Sequence, residues 1–367
     1  MTTKHDLFID GRWVAPVGKE WIDVENPATG EIVGQVAKGD KEDVDRAVAA
    51  AKGAFAAWKN RTAIERADYV HALKDLLKRD KEKLAAISTS EMGKPLKEAR
   101  VEVDFAIGLL RFAAENTLRL QGEIITGSTS EEKILIDRVP HGVVGAIAAW
   151  NFPLALCARK IGPAIAAGNT IVVKPHELTP LAAIHLAKLV EEAKIPRGVV
   201  NVVTGDGKDV GVPIVAHKDI RLITMTGSTP AGKKIMAAAA ETLKEVRLEL
   251  GGKAPFIVME DADIEQAAEA AVVSRFMNTG QVCTCNERTY IHEAVYDAFV
   301  AKVRQKIEAL KVGLPTDPQT DMGPKVSLPE LEKVHEIVEH AIKQGAKLEL
   351  GGKRLTGGVY DKGYYYA

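Results

Sequence analysis

The fold is decided by a stretch that begins VVGAIAAWNFPLALCARK at Val143 and ends at Leu250. Short apolar runs in this stretch are separated by segments of helical character, near 153–167, 180–193, 207–216 and 229–241. The apolar runs are 143–149, 170–173, 199–203, 222–225 and 246–250. Strands that alternate with helices at roughly 25-residue spacing predict βαβ units and therefore a parallel sheet.

The segments on either side of this stretch extend the α/β pattern. Before it, the patterns predict strands at 7–9, 12–14, 21–24 and 32–36, with Asp10-Gly11 as a hairpin turn. A helix begins after Asp40, and further helices are expected at 63–78, 80–92 and 95–116. After residue 251 the patterns predict a second α/β domain, with strands near 256–258, 289–292 and 347–350 and helices near 264–277, 295–310 and 328–343.

Residues 117–138 interrupt the helical pattern and predict a hairpin arm. Two apolar strands, 122–125 and 133–136, flank the polar segment 126–132. The hairpin has an apolar face and no obvious core of its own. Two interpretations remain open: the arm pairs with another chain, or it covers its own domain.

Composition excludes several classes of protein. Lys and Arg number 49 and Asp and Glu 50, so the net charge is −1 and nothing indicates a nucleic-acid partner. No uninterrupted apolar stretch reaches about 18 residues, so no membrane span is expected. The 3 cysteines are too few for a disulfide framework and indicate a reducing compartment, which predicts a cytoplasmic protein.

Polar side chains follow most of the apolar runs, where the carboxyl ends of parallel strands meet. Asn151 follows the first run, Lys174 and Glu177 the second, Thr226 and Ser228 the fourth, and Glu249 closes the fifth. Ligands of open parallel sheets bind outside the carboxyl ends of the strands. Because structural polar residues would scatter to both edges, this convergence predicts a site.

The glycines near the third run do not form the usual dinucleotide fingerprint. Gly205, Gly207 and Gly211 give GxGxxxG, one residue longer than GxGxxG. Alone, this spacing is more typical of an ordinary strand-to-helix turn. It gains meaning because Gly227-Ser228 opens the next helix, where free N–H groups and a hydroxyl suit a pyrophosphate.

Lys174 and Glu177 lie three residues apart after a strand and have two interpretations. They can bond ribose hydroxyls, in which case Glu177 would repel a 2′-phosphate and favour NAD over NADP. The alternative is a surface ion pair.

Cys283 is the candidate nucleophile. It lies in a polar, glycine-containing loop between a predicted helix and strand, whereas a lone cysteine is more often buried and inert. Cys285 is interpreted as structural or as a site of local oxidation, and Cys157 as a core residue within a helix. The spacings of His and Cys predict no metal site.

Five motifs, in family order, resemble the aldehyde dehydrogenase superfamily, and the resemblance covers essentially all 367 residues. The motifs are Trp150-Asn151-Phe152-Pro153, Lys174-Pro175, Met225-Thr226-Gly227-Ser228, Leu248-Glu249-Leu250-Gly251-Gly252-Lys253 and Gly280-Gln281-Val282-Cys283. The resemblance implies a Rossmann-like parallel-sheet cofactor domain, a second α/β catalytic domain and the β-hairpin arm.

Residue roles follow by resemblance at the matching positions. Cys283 would attack the aldehyde, the Asn151 amide would hold the oxyanion, and Glu249 would activate water to hydrolyse a thioester. NAD is the implied cofactor, and a small aldehyde is the implied substrate. The implied cofactor residues are Trp150, Lys174, Glu177, Gly207, Gly211, Thr226, Gly227, Ser228 and Leu250.

Within the superfamily, the chain looks most like lactaldehyde or glycolaldehyde dehydrogenases. Succinate-semialdehyde dehydrogenases are the neighbouring alternative. Arg159 matches a substrate-tunnel position and would bind a hydroxyl or carboxylate of the substrate, unless it is a solvated arginine on a helix.

The resemblance also gives domain boundaries. Residues 1–116 and 139–250 would form the NAD-binding domain, 117–138 an oligomerisation hairpin, and 251–367 a catalytic domain. A homodimer or homotetramer is expected. Because family members run longer, we also expect that the chain is truncated and its catalytic domain incomplete, so that a catalytically incompetent fragment is an alternative to an active enzyme.

Overall fold

A computed structural model describes residues 3–367. Its strands are β1 (Lys4–His5), β2 (Leu7–Ile9), β3 (Arg12–Val14), β4 (Trp21–Glu25), β5 (Ile32–Ala37), β6 (Glu123–Thr126), β7 (Lys133–Ile136), β8 (Val143–Ile147), β9 (Thr170–Lys174), β10 (Val200–Val202), β11 (Ile220–Thr226), β12 (Glu245–Glu249), β13 (Ala254–Val258) and β14 (Asn286–Ile291). Its helices are α1 (Lys41–Lys59), α2 (Ala63–Arg79), α3 (Lys81–Met92), α4 (Leu96–Asn116), α5 (Pro153–Ala166), α6 (Leu181–Glu192), α7 (Val212–Ala216), α8 (Thr229–Ala240), α9 (Ile264–Phe276), α10 (Tyr296–Glu308) and α11 (Leu328–Lys343).

A seven-stranded sheet forms the centre of the molecule, in the order β12-β11-β8-β9-β10-β2-β3. The strands from β12 to β10 pair in parallel, which confirms the prediction of βαβ units. The β2–β3 hairpin adds to the edge of β10 in the antiparallel sense, with Val202 opposite Phe8. This addition was not predicted, because the pattern of a hairpin does not identify the sheet edge that it covers.

Helices cover both faces of this sheet. In β9, Ile171 and Val173 face a core cluster that includes Leu110 and Leu154, whereas Val172 faces a second cluster that includes Val48. Successive residues of a strand point to opposite faces, so a strand buried on both sides is apolar throughout rather than alternating. This explains why β8 and β9 appear in the sequence as continuous apolar runs.

The chain beyond β12 forms a smaller unit around the parallel pair β13–β14. Its core includes Val258, Ala268 of α9 and Phe299 of α10. The predicted strand at 347–350 is wrong: this segment is irregular. The chain turns after α11 at Gly345, whose φ is +97°. The segment forms no hydrogen-bonded ladder with β13 or β14, so its backbone lacks the partner that a strand requires.

The predicted hairpin arm is present as the isolated antiparallel pair β6–β7. Every residue of both strands is exposed, including Ile124 and Leu135, whose exposed fractions are 73% and 74%. The arm therefore carries apolar side chains that its own chain does not cover. Among residues 3–367, no helix combines the length and the apolar character needed to cross a membrane.

Candidate active site

A cavity of about 1210 Å³ opens at the carboxyl ends of β8, β9, β11 and β12. It contains almost all of the residues that the sequence predicted for the site. These are Trp150, Asn151, Lys174, Glu177, Gly207, Gly211, Thr226, Gly227, Ser228, Glu249, Leu250 and Cys283. Arg159 does not line the cavity, although it contacts one residue that does.

Lys174 and Glu177 form one wall of the cavity. The Lys174 Nζ lies 2.9 Å from a carboxylate oxygen of Glu177 and also donates to the carbonyl of Pro175. Burial opposes the charge of Glu177, but His176 and Lys174 together hold the pKa of its carboxyl below the usual value. Burial also lowers the pKa of His176 to about 4. Glu177 is therefore an anion beside a buried ammonium group, which suits ribose hydroxyls.

The glycine-rich segment after β10 is a turn of unusual geometry. Residues Gly207–Gly211 form one π-helical turn, capped by the side chain of Asp206, and α7 begins only at Val212. The single helix predicted at 207–216 is thus split in two. No atom lies within 4 Å of the position that a Cβ on Gly207 would occupy. The backbone is consequently open to the cavity at this turn.

The end of β11 brings hydroxyl-bearing residues to the same cavity. Ser228 caps the start of α8, and its Oγ accepts from the N–H of Ala231 at 3.4 Å. The Thr226 Oγ1 is buried and has no hydrogen-bond partner within the described chain. Thr226 lines the cavity, but its hydroxyl oxygen is covered by the protein.

Cys283 follows a strained segment. Asn278, Thr279 and Gly280 have φ angles of +50°, +57° and +70°, in the left-handed region that β-branched residues rarely adopt. Strain of this kind clusters at functional sites, where the surroundings hold it in place. The Cys283 side chain itself is exposed.

Two contacts bring the predicted catalytic residues together. The Asn151 Nδ2 donates to the carbonyl of Gln281 at 3.0 Å, two residues before Cys283. On the other side, a Cβ on Gly252 would lie 2.7 Å from the carbonyl oxygen of Cys283, so only glycine fits there. The loop that follows Glu249 therefore lies directly against the backbone of Cys283.

The other two cysteines, Cys157 and Cys285, are buried. Cys157 is completely buried in α5, and burial raises the pKa of its thiol to about 12. Cys285 is buried as well, with its Sγ 3.2 Å from Nη1 of Arg275. Their burial leaves Cys283 as the accessible thiol.

Some cavity residues were not predicted from the sequence. His176, Glu287, Lys325 and Tyr366 also line it. Lys325 is buried, and its burial lowers the pKa of the ammonium group to about 8. Its local sequence, Gly323-Pro324-Lys325, carries no periodic or motif signal, so only the fold identifies it. Within residues 3–367, no group of three or more His, Cys, Asp or Glu side chains is arranged to hold a metal ion.

Comparison with known proteins places this cavity in a family context. A family model described as the aldehyde dehydrogenase family matches residues 13–367. The chain is 46% identical to a 3,6-anhydro-alpha-L-galactose dehydrogenase from Vibrio sp. strain EJY3, over 99% of this chain and 76% of that protein. It is 40% identical to a D-glyceraldehyde dehydrogenase (NADP(+)) from Thermoplasma acidophilum, over 100% of this chain and 74% of that protein.

Further relatives represent both substrate classes considered from the sequence. A mitochondrial succinate-semialdehyde dehydrogenase from rice is 42% identical, over 96% of this chain and 67% of that protein. The solved structure of lactaldehyde dehydrogenase from Escherichia coli superimposes with a TM-score of 0.97 at 42% identity, covering 100% of this chain and 76% of that one. An NAD+ complex of an aldehyde dehydrogenase from Bacillus cereus superimposes with a TM-score of 0.96 at 38% identity, covering 99% and 74%.

Proposed function

The chain belongs to the aldehyde dehydrogenase family, whose members are oxidoreductases, and on this premise we propose that it oxidises a small aldehyde to the carboxylic acid with NAD. The observation that carries the proposal is the arrangement around Cys283. The Cys283 thiol is exposed, and the Asn151 amide is hydrogen-bonded to the loop that leads to it. Both residues line one cavity together with Glu249, which precedes the glycines packed against Cys283.

The residues present fit a nicotinamide dinucleotide. Lys174 and Glu177 offer a cation and an anion to ribose hydroxyls, and the start of α8 offers N–H groups and a hydroxyl to a pyrophosphate. Thr226 lines the same cavity. When bound, the nicotinamide supplies the hydride acceptor.

Cys283 is the proposed nucleophile. As a thiolate, it would attack the aldehyde carbon and form a carbon–sulfur bond, which moves an electron pair onto the carbonyl oxygen. The Asn151 Nδ2 would donate to that oxygen together with the Cys283 backbone N–H. Losing one such donor typically costs about 2.7–4 kcal/mol of barrier.

Glu249 is the proposed general base. After oxidation of the adduct to a thioester, its carboxylate would accept a proton from water as the water oxygen attacks the acyl carbon. The carbon–sulfur bond then breaks, releasing the acid and restoring the thiol. This role favours hydrolysis over transfer of the acyl group to coenzyme A.

The ionised Glu177 supports a preference for NAD, because its charge would repel a 2′-phosphate. For the substrate, we favour a lactaldehyde or glycolaldehyde type, with a succinate-semialdehyde type as the alternative. Arg159, ion-paired with Glu249, is proposed to bind a hydroxyl or carboxylate of that substrate.

We also propose two domains and a hairpin arm. Residues 139–250 supply most of the central sheet, and 251–367 the smaller unit with Cys283. Residues 1–116 join the first domain, although Met1 and Thr2 lie outside the described residues. The exposed arm at 117–138 supports a homodimer or homotetramer, and the free cysteines favour the cytoplasm.

Formation of NADH tests the proposed function directly. The 367-residue chain would be assayed with NAD and lactaldehyde, glycolaldehyde or succinic semialdehyde, beside the variants Cys283→Ala and Glu249→Gln. We expect no turnover with Cys283→Ala. Glu249→Gln should release about one NADH per site and then stall, with steady-state turnover reduced on the order of 10²–10⁴-fold, since the thioester forms but is not hydrolysed.

The controls separate chemistry from folding. Cys285→Ala removes the buried neighbouring thiol and should retain turnover. Activity that persists in Cys283→Ala would exclude the proposed nucleophile. A folded parent chain that forms no NADH with any of the three aldehydes would favour the catalytically incompetent fragment.

A further inference from the structure

Three charged side chains near the beginning of α4 contact both loops of the proposed site. Lys94 lies two residues before the helix, and Glu98 and Glu102 lie four residues apart on one of its faces. The side chains of Lys94 and Glu102 are completely buried, with the Nζ 2.6 Å from a carboxylate oxygen. We refer to Lys94, Glu98 and Glu102 as the α4 cluster.

The first loop held by the α4 cluster is the one that carries Asn151. Lys94 Nζ donates to the carbonyl oxygen of Asn151 at 2.9 Å. The second carboxylate oxygen of Glu102 accepts from the N–H groups of Leu154 and Ala155, at 2.9 and 3.1 Å, where α5 begins. The loop is thus fixed at Asn151 and again at the helix that follows it.

The second loop is the one that leads to Cys283. Glu98 accepts from the backbone N–H of Asn278 at 2.9 Å, at the first of the three left-handed residues. The side chain of Asn278 then donates to the carbonyl of Asn151 at 3.0 Å and to the carbonyl of Gln281 at 3.3 Å. The start of α4 therefore holds both the loop that carries the Asn151 amide and the loop that leads to the Cys283 thiol.

Stability alone does not account for this arrangement. Burying a Lys–Glu pair costs desolvation energy comparable to the attraction gained, and apolar residues of similar volume often serve stability as well or better. Yet, apart from the Lys94–Glu102 pair itself, these hydrogen bonds of the α4 cluster all go to the two loops or to the start of α5. A role in placing these loops explains both the burial and the choice of partners.

We propose that Lys94, Glu98 and Glu102 are positioning residues that set the Asn151 amide and the Cys283 thiol at the separation that an oxyanion requires. The inference rests on the proposed function, because it assigns these two groups to the same tetrahedral adduct. A displacement of about 1 Å at such a site can lower the rate on the order of 10²-fold.

Two reagents separate placement of the oxyanion from reactivity of the thiol. Acylation of Cys283 by 4-nitrophenyl acetate passes through a tetrahedral oxyanion, breaks the ester bond and releases 4-nitrophenolate. Alkylation by iodoacetamide displaces iodide and forms no oxyanion. Neither reaction uses NAD or an aldehyde, so the ratio of the two rates reports the placement even if the dehydrogenase proposal fails.

The test compares the 367-residue parent with Glu98→Leu, Glu98→Gln and Lys94→Met. We expect Glu98→Leu and Lys94→Met to lower the ratio of acylation to alkylation on the order of tenfold or more. Glu98→Gln should retain the ratio within about threefold, because its amide oxygen still accepts from the Asn278 N–H. Where NADH is formed, kcat should fall in parallel while KM for NAD changes little.

Asp43→Asn is the matched control. Asp43 is a buried carboxylate on α1 that accepts from the N–H groups of Val17 and Asp40 and touches neither loop. Its variant should leave the ratio unchanged. General loosening of the fold would instead expose Cys157 and Cys285, which mass spectrometry would detect as additional alkylation.

Three results would overturn the proposal. The ratio in Glu98→Leu and Lys94→Met could equal that of the parent, or Glu98→Gln could be as impaired as Glu98→Leu. The ratio of acylation to alkylation could also fall only in variants in which Cys157 and Cys285 become alkylated. If the parent forms no NADH but the variants lower the ratio, the positioning role stands and the dehydrogenase proposal fails.

Discussion

Nη2 of Arg159 lies 3.6 Å from Oε1 of Glu249, so α5 and the end of β12 are joined by an ion pair at the edge of the cavity. The side chains are 47% and 58% exposed, and water screens a pair of this kind. Arg159 thus contacts the proposed base without itself lining the cavity.

Replacing Arg159 with Met tests whether it also contacts substrate. We expect the free energy of unfolding to fall by less than about 1 kcal/mol, because exposed ion pairs contribute little. KM for lactaldehyde or succinic semialdehyde should rise on the order of tenfold, while KM for propionaldehyde, which has neither hydroxyl nor carboxylate, stays the same. Steady-state kinetics with the three aldehydes provide the measurement, and an equal rise for all of them would contradict the substrate role.

Replacing Glu177 with Ser should change the cofactor preference. The anion that would repel a 2′-phosphate disappears, and Lys174, 2.9 Å from it in the parent, becomes available to an anionic group. We expect the ratio of kcat/KM for NADP to that for NAD to rise on the order of tenfold, which corresponds to about 1.4 kcal/mol. Glu131→Ser, in the exposed hairpin turn, is the control and should leave the ratio unchanged. A parent chain that already prefers NADP would refute the assigned role of Glu177.

Glu91 should make stability depend on pH. It is fully buried, accepts from the N–H groups of Leu181 and Ala182, and its burial raises the pKa of the carboxyl to about 8. Because the folded state binds this proton more tightly than the unfolded state, its contribution to stability is present below pH 4.5 and is lost as the pH rises to about 8.

Glu91→Gln removes that titration and keeps an acceptor oxygen. The free energy of unfolding of the variant relative to the parent should therefore increase between pH 5 and pH 8, by up to about 1.4 kcal/mol for each pH unit. Urea denaturation of both proteins at several pH values measures it. Parallel curves for the two proteins would show that Glu91 does not titrate in this range.

The exposed arm predicts a defined change in oligomeric state. Ile124→Glu together with Leu135→Glu places two charges on the apolar surface of β6 and β7, and burying unpaired charges at an interface is costly. We expect analytical ultracentrifugation to show a dimer or tetramer for the parent and smaller species for the double variant. Ser130→Glu, in the turn between the strands, should leave assembly intact. A monomeric parent would remove the proposed role of the arm.

Local chemistry in the sequence determined much of the architecture. The parallel sheet, its intervening helices and both early hairpins follow from apolar periodicity, turn residues and caps, which act over a few residues. The site could be anticipated for the same reason: parallel topology brings Asn151, Lys174, Thr226 and Glu249 to one edge, wherever their strands lie in the chain. Its polar, glycine-containing loop and the family motifs identified Cys283, which strand topology alone does not place.

The tertiary structure decided what depends on contacts distant in sequence. The partner of β2 is β10. The predicted strand at 347–350 does not form, because a strand requires a neighbouring backbone that pairs with its N–H and C=O groups. Lys325 lines the cavity and Arg159 pairs with Glu249 because the fold brings together residues that are distant in sequence. The sequence by itself determined which residues are candidates for the proposed chemistry. The fold alone decided how they are held, since Glu98 and Asn278 meet across 180 residues of chain.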